Sequence, residues 1–241
     1  MSETKKTELE MLEELKQYDT PTITNVVATY PNDHEHCLGL YHPWRGNWYT
    51  DQTLKCMYPE HGRMAGYVVT VTYGIPDPTF NRRSMLDLYK VIEASPKPVI
   101  LAIKQAMPEE YKRKNGLLGG NMMTAFRSLG VIGVVSDGPS RDLDEVRELG
   151  VQYMLTGVCA GHGDFSIMEI NTPVSICGMD VAPGEIIHMD ENGAVKFPRE
   201  YLPEVTERCK KLNEHEVKKQ AMLAQFHDPE TLAKVISDNY K

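Results

Sequence analysis

The 241-residue sequence has no long apolar run, no excess of basic residues and no closely spaced pair of cysteines. A helix that crosses a bilayer needs roughly 20 predominantly apolar residues, and no run approaches this length. The first residues, MSETKKTELEMLEELK, have the pattern of a charged amphipathic helix rather than of a signal peptide. We therefore expect a cytoplasmic protein with no membrane partner.

The deficit of basic residues restricts the partners further. The chain has 26 Lys and Arg against 34 Asp and Glu, which gives a formal net charge of -8. A nucleic-acid groove requires clustered Lys and Arg, so no nucleic-acid partner is expected. An anionic substrate would need a local cationic pocket.

The cysteines are odd in number and form no CxxC pair, so the sequence predicts neither a disulfide framework nor a thiolate zinc site. We interpret the five thiols as buried or incidental. The histidines of residues 31–63 fit no standard zinc spacing either. The residues concerned are Cys37, Cys56, Cys159, Cys177 and Cys209, and His34, His36, His42 and His61 with Asp33.

Strand and helix patterns alternate through the middle of the chain, which predicts the α/β class. Residues 66–74, 98–105, 131–138, 151–157 and 172–178 have strand patterns, and residues 84–94, 122–130 and 141–150 have helical ones. Residues 185–198 predict a hairpin with Gly193 in its turn. Residues 18–30 predict a helix capped by Asp19 or Thr20, and the charged tail from residue 203 predicts further helices.

Residues 31–63 are rich in histidine, aromatic and turn residues and have no clean period. A segment of this length without regular structure is often a functional loop or an insertion. Its aromatic residues are interpreted as packing or subunit contacts rather than as a base-stacking platform, because no basic stripe accompanies them. They are Tyr41, Trp44, Trp48 and Tyr49.

The first candidate binding loop is NGLLGGNMMT, residues 115–124, where Gly119 and Gly120 precede a helix. Glycines allow the backbone to approach a ligand closely. The free N–H groups of Asn121, Met122 and Met123 at the helix start would form an anion cradle. The alternative is a purely structural turn.

The second candidate loop is DGPSRDLDE, residues 137–145, which follows a predicted strand. Arg141 can bind a carboxylate through two hydrogen bonds, and Asp142 offers the oxygen ligands that Mg²⁺ prefers. The alternative is that Ser140 caps a helix whose dipole is complemented by Asp142, Asp144 and Glu145.

A third loop, GVCAGHGDF at residues 157–165, places His162 between glycines after a strand. The imidazole could face the same pocket as an acid–base or specificity residue. The alternative is a loop histidine that bonds only to backbone.

The first and second candidate loops, read together, show a family resemblance. GGNMMTAFRSLGVIGVVSDGPSRDLDEVRELG, followed by PVSICGMDVAPGEIIHMDENGAVKFP, resembles the RraA-like family, which includes 4-hydroxy-4-methyl-2-oxoglutarate aldolases. These are class II pyruvate aldolases that also decarboxylate oxaloacetate. The resemblance implies a swivelling β/β/α domain with flanking N- and C-terminal helices. We expect one such domain over residues 1–241, with a core at about 18–203, an insertion at about 31–63 and a helical tail at about 203–241.

The resemblance also implies roles for individual residues. Gly119, Gly120, Asn121 and Met122 correspond to the segment whose amides hold the substrate carboxylate. Arg141 matches the arginine that contacts a 2-oxo acid, and Asp142 matches the metal ligand. Many of these aldolases have an aspartate where this sequence has Gly120; the glycine form often has extra acids after the Arg-Asp pair, and Glu145 fits part of that pattern.

The implied activity is a metal-dependent lyase that releases pyruvate from a small 2-oxo acid. Mg²⁺, Mn²⁺ or another divalent cation would act as a Lewis acid, and one enolate would serve both retro-aldol cleavage and decarboxylation. The resemblance implies a homotrimer or homohexamer with sites near subunit interfaces. The alternatives are a non-catalytic regulator that binds a protein partner, as the ribonuclease-regulating members do, and a carbon–carbon lyase with another substrate.

Overall fold

The computed structural model describes residues 6–30, 33–79 and 83–237. Expectations for residues 1–5, 31–32 and 238–241 lie outside the described residues. The helices are α1 Glu8–Leu15, α2 Thr20–Val27, α3 Met85–Ala94, α4 Glu109–Lys112, α5 Gly120–Ser128, α6 Leu143–Glu148, α7 Leu202–Leu223 and α8 Pro229–Ile236. The strands are β1 Lys55–Cys56, β2 Met64–Gly74, β3 Val99–Ala106, β4 Val131–Ser136, β5 Gln152–Leu155, β6 Ser166–Ile170, β7 Val174–Ile176, β8 Met179–Val181, β9 Ile186–Asp190 and β10 Gly193–Phe197.

Local capping chemistry fixes where the first helices begin. Thr7 and Glu10 form a reciprocal capping box at the start of α1. The predicted cap of α2 is confirmed at Asp19, whose Oδ1 accepts a hydrogen bond of 2.9 Å from the Thr22 amide. Pro21 lies in the first turn, where its missing N–H costs nothing.

A mixed sheet forms the centre of the fold, and its strand order is β1-β5-β4-β3-β2-β9-β10, with β6 pairing the far end of β2. The four strands β2, β3, β4 and β5 are parallel, which confirms the β-α-β prediction. Because they are parallel, their carboxyl ends meet at one edge of the sheet. The loops after β3, β4 and β5 therefore lie together there, where ligands bind in parallel α/β sheets, both open and closed.

One stretch of the 31–63 segment bridges the two edges of this sheet. The Thr50 amide donates to Ala194 O of β10 at 2.9 Å, and the Lys196 amide donates to Trp48 O at 2.9 Å. A few residues later, β1 pairs with β5. The segment therefore nearly closes the sheet into a barrel. Trp48 is buried within it, which confirms the packing interpretation, whereas Trp44 is 89% exposed.

The charged C-terminal helix α7 is not a fully solvated element. Its first half buries Leu202, Val205, Cys209 and Leu212 against α1 and α2. Burial raises the pKa of the Cys209 thiol, which favours the neutral form. No helix among residues 6–30, 33–79 and 83–237 combines the length and apolarity that a membrane crossing requires.

The junction between α2 and the β9–β10 hairpin contains a buried histidine. His188 is fully buried, and its Nδ1 lies 2.9 Å from the Thr20 hydroxyl. The Asp190 carboxylate accepts a hydrogen bond of 2.7 Å from the Thr20 amide. Burial lowers the pKa of His188 to about 4.

This shift predicts a pH dependence of stability. Unfolded histidine binds a proton below about pH 6.5, whereas folded His188 does so only near pH 4, so the unfolded state binds more protons between these values. We therefore expect the free energy of unfolding to fall by up to about 3 kcal/mol as the pH drops through this window. Denaturant titrations at several pH values, for the wild type and His188→Gln, measure the effect. Equal pH slopes in the two proteins would contradict it.

Candidate active site

Three loops meet at the carboxyl edge of the parallel strands, and backbone hydrogen bonds join them. The loop after β3 contacts the loop after β5 through Gly116 N, which donates to Gly161 O at 3.0 Å. The loop after β4 contacts the same third loop, because Ser140 N donates to Gly157 O at 3.2 Å and Cys159 N donates to Ser140 O at 3.0 Å. The three candidate loops of the sequence therefore form one structural unit.

A pocket of about 280 Å³ lies between these loops. Arg141, Asp142 and Glu145 contribute its charged side chains, and His162 lies at its wall. Gly120 is not itself in the lining, but Gly119 and Asn121 on either side of it are. The complete lining is Gly116, Leu117, Leu118, Gly119, Asn121, Met122, Arg141, Asp142, Glu145, His162 and Phe165. The structure thus brings the sequence-predicted site residues to one place.

Asp142 joins the second loop to the first. Its Oδ2 accepts a hydrogen bond of 3.0 Å from the Gly120 amide and lies 3.5 Å from Arg141 Nε. Asp142 has φ 59° and ψ 42°, the left-handed conformation that non-glycine residues adopt rarely. The tertiary contact with Gly120 holds this strained backbone, and such strain is typical of functional loops.

The boundary of α6 differs from the prediction. The helix begins at Leu143, so Arg141 and Asp142 precede it in the turn. The alternative in which Ser140 caps this helix is wrong, because the Ser140 hydroxyl bonds to the carbonyls of Leu117 and Leu118 instead. Arg141 and Asp142 can therefore face one pocket, which neighbouring residues of a regular strand could not do.

Close contacts explain both glycines of the first loop. A Cβ on Gly119 would overlap Asp142 Oδ2, and a Cβ on Gly120 would overlap Glu145 Oε2. The Glu145 carboxylate therefore occupies the space that a side chain at position 120 would fill. Two carboxylates, from Asp142 and Glu145, lie against the glycine pair.

The start of α5 offers fewer amides than the sequence predicts. Met123 N donates to Gly119 O at 3.0 Å inside the helix, so the prediction of a free amide is wrong for Met123. The Gly120 amide is bonded to Asp142. Within the described part of the chain, no acceptor is found for the amides of Asn121 and Met122, both of which line the pocket. These two N–H groups, at the positive end of the helix dipole, favour an anion.

Two buried hydroxyls form hydrogen bonds to the backbone of the first loop. The sequence patterns did not identify them as site residues. The Tyr153 hydroxyl of β5 donates to Leu118 O, and the Ser140 hydroxyl donates to the same oxygen at 3.1 Å. Leu118 has a positive φ of 66°. Burial raises the pKa of Tyr153, so the phenol keeps the proton that this bond requires. The only sequence signal is a tyrosine in a buried strand, whose hydroxyl needs a partner.

Asp137, the first residue of the predicted turn, does not line this pocket. Its Oδ1 accepts a hydrogen bond of 2.7 Å from Gln105 N, and its Oδ2 forms ion pairs with Lys104 at 2.6 Å and Lys112 at 2.8 Å. Asp137 therefore anchors the start of the loop to β3 and α4.

The acidic groups fit a cation that needs few protein ligands. Mg²⁺ usually binds one or two carboxylates and keeps several waters or substrate oxygens. Asp142 and Glu145 match this pattern, and both lie at the cradle formed by Gly119 and Gly120. The described residues contain no group of three or more His, Cys, Asp or Glu placed to hold a metal, so an all-protein cage of the zinc type does not fit.

Comparison with protein-family models identifies the family of the chain. Residues 39–196 match the model of the RraA-like family, described as Aldolase/RraA. The chain belongs to the RraA-like family. The matched region contains all three loops of the site and the parallel strands that carry them.

Curated relatives of this RraA-like protein match over part of their length. An uncharacterized protein of Methanocaldococcus jannaschii is 36% identical over 110 residues, which are 45% of this chain and 53% of that protein. A putative 4-hydroxy-4-methyl-2-oxoglutarate aldolase of Halalkalibacterium halodurans is 28% identical over 63% of this chain and 64% of its own. The aldolase of that name from Thermus thermophilus is 30% identical over 35% of this chain and 52% of its own. The matches thus span about half to just under two thirds of these relatives.

Solved structures show the same fold over nearly the whole chain. An uncharacterized protein from Pseudomonas syringae has a TM-score of 0.71 at 17% identity and covers 97% of this chain and 98% of its own. Streptomyces coelicolor RraAS2, described as an unusual member of the RNase ES inhibitor RraA family, has a TM-score of 0.64 at 21% identity, with coverages of 91% and 98%. At these identities, the likeness concerns the fold alone.

Proposed function

We propose that this protein is a divalent-metal-dependent carbon–carbon lyase that releases pyruvate from a small 2-oxo acid. The observation that carries the proposal is the convergence of one guanidinium, two carboxylates and two helix-start amides in a single pocket. The relatives named as aldolases support the reaction class.

The cationic side of the pocket would bind the substrate carboxylate. Arg141 can donate two parallel hydrogen bonds to a carboxylate. The amides of Asn121 and Met122 add partial positive charge from the start of α5. Together they would hold the carboxylate of the 2-oxo acid at the start of α5.

The acidic side of the pocket would hold the cation. Asp142 and Glu145 would be its protein ligands, and Arg141, 3.5 Å from Asp142, would limit their mutual repulsion. A bound divalent cation would supply Lewis-acid polarisation of the 2-oxo group and charge stabilisation during carbon–carbon cleavage. His162 lies at the wall of the pocket and carries an imidazole suited to moving a proton to or from the substrate.

The direct test is pyruvate release from oxaloacetate and from 4-hydroxy-4-methyl-2-oxoglutarate, with Mg²⁺ or with EDTA. We expect release that requires the metal and exceeds the background of metal without protein. Release no greater than that background, from both substrates, would contradict the proposal. The fold would then point to the regulatory alternative.

Thermal unfolding provides a test without a substrate. A ligand that binds only the folded state must stabilise it, so Mg²⁺ or Mn²⁺ should raise the melting temperature of the wild type. The increase should be lost in Asp142→Ala. We also propose, from the family resemblance, that the active form is a homotrimer or homohexamer, which light scattering would measure.

Arg141→Lys provides a test of the carboxylate contact. Lysine retains the positive charge but not the planar pair of N–H donors. We expect kcat/KM for oxaloacetate to fall by roughly 10- to 100-fold, since a charge-assisted bond contributes about 1.5–3 kcal/mol. Arg127→Lys, on the neighbouring helix α5, is the control because Arg127 bonds to Leu149 O outside the pocket. Steady-state kinetics of both variants measure the effect; near-normal values for Arg141→Lys would remove Arg141 from the mechanism.

A further inference from the structure

A larger cavity, of about 850 Å³, adjoins the 280 Å³ pocket and is not used by the proposed binding of a pyruvate unit. His162 lines both cavities. The loop that carries His162 is anchored beside both cavities, because the Asn115 Oδ1 atom accepts a hydrogen bond of 2.8 Å from Gly163 N and the Asn115 side chain is buried. A substrate held in the small pocket could therefore extend past His162 into the larger cavity.

The size of the larger cavity exceeds what decarboxylation requires. Oxaloacetate loses only carbon dioxide, whereas retro-aldol cleavage leaves a carbonyl fragment of variable size. Ligand pockets of about 300–1,000 Å³ hold molecules of drug size. The cavity is thus large enough for a fragment with a ring or a branched chain.

The chemistry of the cavity wall disfavours a second carboxylate. Ile75, Met107 and Tyr111 contribute apolar surface, and Ile75 and Tyr111 are exposed at 45% and 59%. The charged side chains are the carboxylates of Glu110 and Asp164 and the ammonium of Lys114. Two carboxylates stand against one ammonium there, so a neutral apolar fragment fits better than an anionic one.

We propose that the larger cavity receives the distal fragment of a 4-hydroxy-2-oxo acid, and that this fragment is a neutral aryl or branched alkyl aldehyde. This inference rests on the proposed lyase function and specifies its substrate class. In the reaction, the C4 hydroxyl loses its proton, C4 becomes the aldehyde carbon, and the C3–C4 bond breaks. Its electron pair goes to C3, which then takes up a proton to give pyruvate, so no oxidant or reductant is needed.

The test compares three substrates with Mg²⁺ present: oxaloacetate, 4-hydroxy-4-methyl-2-oxoglutarate and 4-hydroxy-2-oxo-4-phenylbutanoate. We expect the phenyl compound to be cleaved to benzaldehyde and pyruvate with a higher kcat/KM than the dicarboxylate. Tyr111→Ala should lower kcat/KM for the phenyl compound by roughly 10-fold, mainly through KM, and leave oxaloacetate decarboxylation unchanged. Leu86→Ala is the matched control, because Leu86 is 58% exposed and lines neither cavity.

The possible failures can be told apart. Decarboxylation of oxaloacetate without cleavage of the phenyl compound would overturn the substrate class and leave the lyase function standing. If the wild type turned over neither oxaloacetate nor the phenyl compound, both the substrate class and the lyase function would be overturned. Equal effects of Tyr111→Ala on both substrates would show that the residue does not select the fragment. A smaller particle mass for Tyr111→Ala would assign the cavity to a contact between subunits and overturn the substrate assignment.

Discussion

Replacing Asp142 with asparagine will lower metal-dependent pyruvate release on the order of 100-fold or more without unfolding the protein. The substitution removes a negative charge from the proposed cation site, and metal stabilisation of developing charge contributes several kcal/mol to catalysis. Asparagine suits the backbone, because it tolerates the left-handed conformation found at position 142. Its side-chain oxygen can still accept the bond from Gly120 N.

The control for this variant is Asp144→Asn. Asp144 lies two residues away, its side chain is 98% exposed, and it pairs only with Arg147 among the described residues. We expect this control to retain normal activity and normal stimulation by Mg²⁺. Pyruvate release is measured at several metal concentrations for both variants. Full activity of Asp142→Asn at all of them would place the cation elsewhere.

The regular elements that position the site follow from local patterns. The apolar run at residues 98–105 and the helical spacing at 84–94 predicted β3 and α3, because a buried parallel strand and a half-buried helix have distinct periods. The hairpin at residues 185–198 followed from a turn that needs Gly193, which has a positive φ of 131°. The edge of the sheet that carries the site could thus be predicted.

Elements set by long-range contacts could not be predicted in this way. β6 pairs with the far half of β2, across a register shift at Thr72 and Tyr73, and its Ile167 also forms a bridge with Arg83. β8 has three residues. The start of α6 was placed two residues early, because the Asp142 backbone conformation depends on a bond to Gly120, 22 positions earlier in the chain. The support of Leu118 by Ser140 and Tyr153 also joins distant segments. Contacts between segments so far apart in the chain leave no pattern in the spacing of residues.

The space beside Gly120 is filled by a carboxylate from another helix. The family resemblance implies an aspartate at this position in many of the aldolases, so the sequence alone indicates a missing carboxylate. In the structure, a Cβ at position 120 would overlap Glu145 Oε2. The carboxylate is therefore present in the same space but comes from α6 instead of α5.

This geometry predicts that the carboxylate can be moved from one helix to the other. Glu145→Ala should lower kcat/KM for oxaloacetate by roughly 10- to 100-fold, the loss typical of groups that tune a metal site. Gly120→Asp alone should also lower it, because two carboxylates compete for one space. The double variant Gly120→Asp with Glu145→Ala should regain most of the activity, since an L-residue at position 120 needs no positive φ.

The matched control is Glu148→Ala, which makes the same truncation at an exposed position of α6. As a single variant it should leave kcat/KM unchanged. Combined with Gly120→Asp, it should not restore the activity that Gly120→Asp loses. Kinetics and Mg²⁺ titration of the wild type and of the five variants measure the coupling between the two positions. If the double variant is no better than the worse single variant, the carboxylates at positions 120 and 145 are not interchangeable. Glu145 would then act through its place on α6, and the cation would depend on Asp142 alone.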